Sequence, residues 1–189
     1  MHHDHLAHEL TKSKHIAHVS RLLPYSGLIL TVCCVTIFLC RMYLLEPLVK
    51  RCYGDRYSRL DEAQRRSFIN HWVAGGSKFV LIVLSVYPAI AVISGSKELQ
   101  SPWGTSSTIK LGDTLMVTFQ LFTAMYIFEL FFRKAISYIS AAHHIGAIII
   151  AQSSTVLFLD PSHRRDAELE FILCLTWGTS TVSQACSTF

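Results

Sequence analysis

Two adjacent histidines, His143 and His144, stand nine and ten residues into Ala135–Leu159, a run of 25 residues with no Asp, Glu, Lys or Arg. A neutral imidazole carries one N–H and one lone pair. A His pair in an apolar run can therefore act as general base, nucleophile or ligand. The plainer alternative is two neutral rings hydrogen-bonded to neighbouring helices. Upstream, Tyr126, Glu129 and Arg133 follow at i, i+3 and i+7. Glu129 and Arg133 stand four apart with the acid first, the favourable order for a helical ion pair. These three either anchor a helix end or turn a carboxylate and a phenol towards the His pair.

The elements that must position these groups are read from where charge is absent. Leu22–Cys40 is free of charge over 19 residues, Phe79–Ser96 over 18, Thr114–Phe128 over 15 and Phe171–Phe189 over 19. A bilayer core about 30 Å thick takes ~20 apolar residues as a helix. Backbone amides in lipid must bond within their own segment, so such runs are helical. The composition agrees: 51% of the 189 residues are hydrophobic and 16% charged, with mean hydropathy +0.37. A soluble domain carries roughly 25% charged residues. The balance disfavours a soluble globular protein and excludes a disordered chain or a disulfide-stapled mini-protein. The expected fold is all-α, a polytopic transmembrane bundle of about five spans.

Within the His-bearing run, Ser137, Ser140, His144, Ala147, Ala151 and Thr155 share one helical face. Small and hydroxylated residues there suit close helix packing or a polar cavity. Ile139, Ile145 and Ile149 lie opposite and suit lipid. An ionisable group at that depth is costly, ~2.5–3.5 kcal/mol on insertion scales for a full charge, so it usually serves a purpose.

The rest of the chain divides by composition. Residues 1–21 form a polar tail with six His, read as a solvated segment because their spacing matches no closed metal site. Residues 22–45 form the first anchor, too long for a cleavable signal core. Residues 46–72 form a basic amphipathic loop expected to lie on the membrane. There Ser58 with Asp61 marks a helix start, and Leu60, Ala63, Phe68 and Trp72 recur near helical spacing. Residues 41–78 hold eight of the 17 basic side chains. The positive-inside tendency therefore places this loop and the Arg133-Lys134 turn on the cytoplasmic side. Pro47 and Pro161 are expected helix stops, and Pro88 is expected inside a span. The six cysteines are scattered, most of them in apolar runs, where Cys behaves as a small hydrophobe.

No HExxH, Gly-rich phosphate loop or GxSxG elbow is present. The basic residues flank spans, which speaks against nucleic acid. Neither a metal nor a resident cofactor is expected.

The segment MYIFELFFRKAISYISAAHHIGAIIIAQ resembles the centre of the TLC domain, the membrane family that includes the ceramide synthases. The shared pattern is Tyr126, Glu129-Leu130, Arg133 and His143-His144 followed by an apolar run. The lead RRSFINHWVAGGSKFVLIVLSVYP and the tail ELEFILCLTWG are similar to flanking parts of that domain, notably in fungal members. The likeness covers roughly residues 65–180 and assigns 65–189 to a partial TLC-like domain. It implies a multi-pass protein of the endoplasmic reticulum acting in sphingolipid-type lipid metabolism or homeostasis. The partners it implies are membrane lipids, with a homo- or hetero-oligomer as the assembly to look for. In ceramide synthases the motif is linked to N-acyl transfer from acyl-CoA. By resemblance His143 or His144 is the base or acyl acceptor, supported by Tyr126, Glu129, Arg133 and Ser140. The acidic pair that those enzymes carry further along has no counterpart after Glu170. The chain therefore reads as a truncated or divergent member. The alternative is a non-enzymatic lipid-binding, cargo or membrane-composition protein, or a degenerate fragment.

Overall fold

The computed structural model of the chain describes residues 20–104, 107–133 and 136–157. Among them every regular element is helical; the sole extended pairing is an isolated bridge between Pro102 and Lys110. A short 3-10 turn, Leu23–Tyr25, leads into α1, Ser26–Leu39. A π-helical turn, Cys40–Leu45, joins α1 to α2, Glu46–Ser58. Then come α3, Glu62–Ile93, α4, Leu111–Phe132, and α5, Tyr138–Leu157.

The first helical run does not stop at Pro47, as expected, but continues to Ser58. Proline lacks an N–H, and its ring clashes with the carbonyl four residues back. Just before it the ladder widens, so that the Glu46 amide bonds to the Arg41 carbonyl five residues away. The extra residue in that turn lets the chain pass Pro47 and remain helical. Inside α2 the backbone turns at Gly54 (φ 48°, ψ −124°), a conformation open to glycine because it has no Cβ.

α3 starts at Glu62, four residues beyond Ser58. Asp61, not Ser58, is the cap: its carboxylate accepts from the Gln64 amide at 2.7 Å, and the Gln64 side chain accepts from the Asp61 amide at 3.1 Å. The Ser58 hydroxyl donates instead to the Gly54 carbonyl at 3.3 Å. α3 then runs 32 residues, through Pro88, before turning at Gly95 (φ 69°). Asp113 ties down the beginning of α4. Its carboxylate accepts from the Ser20 hydroxyl at 2.7 Å, the Arg21 amide at 3.0 Å and the Lys110 amide at 3.3 Å.

α4 is the central helix and packs against α1, α3 and α5. Side-chain contacts fix the directions. Ser20 meets Asp113 at one end, and the Phe38 and Phe132 rings meet at 5.6 Å at the other, so α1 and α4 run parallel. Asn70, near the start of α3, donates to the Phe132 carbonyl at 2.8 Å, so α3 runs antiparallel to α4. The segment after α1, the first turns of α3 and Arg133 thus gather at one end of the bundle.

Among the described residues, three helical stretches are long and apolar enough to cross a membrane: Leu23–Ser58, Glu62–Ile93 and Leu111–Phe132. α5, which is described only as far as Leu157, is not among them. The fifth expected span, 171–189, lies outside the described residues, as do residues 1–19 and Pro161. Large apolar side chains face outward along the helices, and polar groups are buried among the apolar core. Leu28, Val32, Phe79, Val83, Ile90 and Ile149 are exposed, while Asn70, Ser85, Gln120, Thr123, His144 and Thr155 are buried. Outward-facing apolar chains with inward-facing polar ones suit a hydrocarbon solvent.

Candidate functional site

The site forms where α4 ends and α5 begins. Ser137 caps α5, its hydroxyl accepting from the Ser140 amide at 3.1 Å. One turn beyond Ser140, α5 turns His144 into the interface with α4. His144 is buried, and its Nε2 lies 2.8 Å from Glu129 Oε2. Both side chains are largely enclosed, at 8% and 12% exposure. The low dielectric there strengthens a hydrogen bond that water would otherwise screen. The Tyr126 ring lies 4.7 Å from the His144 ring and 5.9 Å from that of His143, centroid to centroid. Phe122 meets Tyr126 edge-on at 4.6 Å and closes the aromatic side of the site.

The bond to Glu129 assigns the histidine's two nitrogens. An ionised carboxylate only accepts, so when His144 is neutral Nε2 carries its hydrogen and Nδ1 holds the lone pair. Nδ1 is buried and has no hydrogen-bond partner among the described residues. A lone pair held in an enclosed setting, on a ring oriented by a carboxylate, is the arrangement a general base or acyl acceptor requires.

The structure thus brings together Tyr126, Glu129, His143 and His144. It places Arg133 and Ser140 differently from the sequence reading. Glu129 pairs with His144 across the helices, not with Arg133 along its own. Arg133 is exposed at the helix end, where its amide bonds to the Glu129 carbonyl at 3.1 Å. A buried carboxylate gains more from an enclosed partner than from a solvated guanidinium. Ser140 is half-buried and does not hydrogen-bond to His144, and Ser137 serves as the cap instead of lining a cavity. The remaining face of α5 is as expected: Ala147, Ala151 and Thr155 are buried, and Ile139, Ile145 and Ile149 are exposed.

A second polar layer lies deeper along the same interface. Gln152 Nε2 donates to Gln120 Oε1 and to Thr123 Oγ1, each at 3.2 Å, and Gln120 Nε2 donates to Thr155 Oγ1 at 3.4 Å. Gln120 and Thr123 are fully buried. The signal for this layer lay in three-residue steps: Gln120, Thr123, Tyr126 and Glu129 form a slanting row of the kind a crossing helix meets.

Among the described residues, no three His, Cys, Asp or Glu side chains converge as a metal site would need. Comparison of the chain with protein-family models, curated proteins and solved structures returned no match.

Proposed function

We propose that the protein is a multi-pass membrane protein of TLC type, resident in the endoplasmic reticulum, that transfers an acyl group from acyl-CoA to the amine of a long-chain base. The observation that carries this reading is the Glu129–His144 pair, whose Nδ1 has no partner among the described residues. In the proposed step the amine nitrogen attacks the thioester carbonyl and forms the C–N bond of the amide. The C–S bond breaks, and the thiolate of CoA leaves. Nδ1 of His144 takes the amine proton and passes it to the thiolate, so the histidine ends as it began. Glu129 holds the ring and stabilises the transient imidazolium, while Tyr126 supports its face. Nδ1 is enclosed, so substrate entry requires α5 to yield at its start, where Ser137, Tyr138 and Ile139 are exposed. The resemblance to the TLC centre supports the substrate class, and the three membrane-length helices support the setting. The reading includes two further spans, α5 and 171–189, beyond those three.

The test is turnover by the full chain in proteoliposomes supplied with long-chain acyl-CoA and a sphingoid base. The expected product is the N-acylated base, and His144→Ala should lower kcat by roughly 10²–10⁴-fold, the usual weight of general base catalysis. Undiminished turnover in that variant would remove His144 from the chemistry. No turnover by the unmodified chain, with lipid retained, would leave the non-enzymatic lipid-binding alternative.

A further inference from the structure

A separate feature lies on the other side of α4, against α1. An apolar groove of about 280 Å³ runs between the two helices, walled by Cys34, Val35 and Phe38 on one and by Phe128, Phe131 and Phe132 on the other. It opens sideways, since Val35, Phe38 and Phe131 are exposed. At one end Arg41 lays its guanidinium over the Phe132 ring, 4.7 Å from the centroid. Arg41 Nε is buried without an acceptor, and Nη1 reaches only the thioether of Met42 at 3.4 Å, a weak one. Among the described residues no carboxylate pairs with it.

An arginine drawn into an aromatic corner with so few acceptors is an incomplete anion site. Its level along the helix says which anion. Arg41 is the first charge after the 19 uncharged residues Leu22–Cys40, so it stands where an apolar span meets the headgroups. Arg133, the first residue past α4, lies at the same end of the bundle. We propose that this groove binds an anionic phospholipid, its acyl chain along α1 and α4 and its phosphate on Arg41. The occupant is argued from charge and shape together. A phosphate accepts two parallel N–H bonds from a guanidinium, and an acyl chain matches a groove that opens towards lipid. The proposal does not depend on the acyl-transfer reading.

The experiment is native mass spectrometry of the full chain released from nanodiscs of equimolar phosphatidylcholine and phosphatidylglycerol. The protein should retain phosphatidylglycerol with about a five-fold preference, the weight of one cation at a headgroup. Arg41→Gln should remove the preference, and Val35→Trp, which fills the groove and leaves Arg41 in place, should lower retention of either lipid. Excess inorganic phosphate should not displace the bound lipid. Equal retention of both lipids by the unmodified chain, an unchanged preference in Arg41→Gln, or displacement by inorganic phosphate would each overturn the proposal.

Discussion

Glu129 Oε2 and His144 Nε2 stand 2.8 Å apart across the α4–α5 interface, fifteen residues distant in the chain. The pair pins the start of α5 to the end of α4. Removing either partner leaves the other buried and unsatisfied. A double-mutant cycle with Glu129→Ala and His144→Ala should therefore give a coupling of about 1–3 kcal/mol, read from unfolding midpoints in detergent micelles. Additive effects of the two substitutions would show that the contact does not hold the helices together.

The Gln120–Gln152 layer should tie the same interface deeper in the bundle. Gln152→Ala removes two hydrogen bonds and should cost roughly 1 kcal/mol, in the range measured for polar contacts between membrane helices. Gln120 is the more enclosed partner, so Gln120→Ala should cost more, because a cavity adds to the lost bonds.

The three charge-free runs that coincide with α1, α3 and α4 were legible because a missing charge over a membrane's width is a property of single segments. So was the face of α5, which follows from helical periodicity alone. What escaped depends on partners from elsewhere in the fold. Pro47 reads locally as a stop, and only the widened turn at Cys40–Leu45 lets the helix pass it. Glu129 reads locally in two ways, as a partner for Arg133 or as a carboxylate turned to the His pair, and only its burial against the next helix decides for the histidine. Gln120 and Gln152 each look like an isolated polar residue in an apolar run until the two helices are set side by side.

Asp113 should act as a clasp between the beginning of α4 and the segment that leads into α1. Asp113→Ala removes the acceptor for Ser20, Arg21 and Lys110 at once. The expected loss is about 1–2 kcal/mol, at the upper end for helix caps. Hydrogen exchange should accelerate at Arg21 while the middle of α4 stays protected. Unchanged exchange at Arg21 would show that the clasp is incidental.

Gly54 allows α2 to bend so that Tyr53 and Tyr57 both reach the Phe68 ring, at 5.3 Å and 6.2 Å. A Cβ added there meets open space, so any cost comes from the backbone alone. Gly54→Ala should destabilise by about 1–3 kcal/mol, the range for strained dihedrals. Thermal unfolding in micelles measures it, and a neutral effect would show that α2 can straighten freely.

The central claim is that Glu129 fixes the proton of His144 on Nε2 and leaves Nδ1 as the open base. Nitrogen-15 NMR of histidine-labelled protein in nanodiscs at neutral pH, with His144→Asn for assignment, reads this directly. The account predicts a protonated Nε2 and an unprotonated Nδ1 for His144, with the pattern lost or averaged in Glu129→Ala. A proton resident on Nδ1, or a His144 signal indifferent to Glu129, would contradict it.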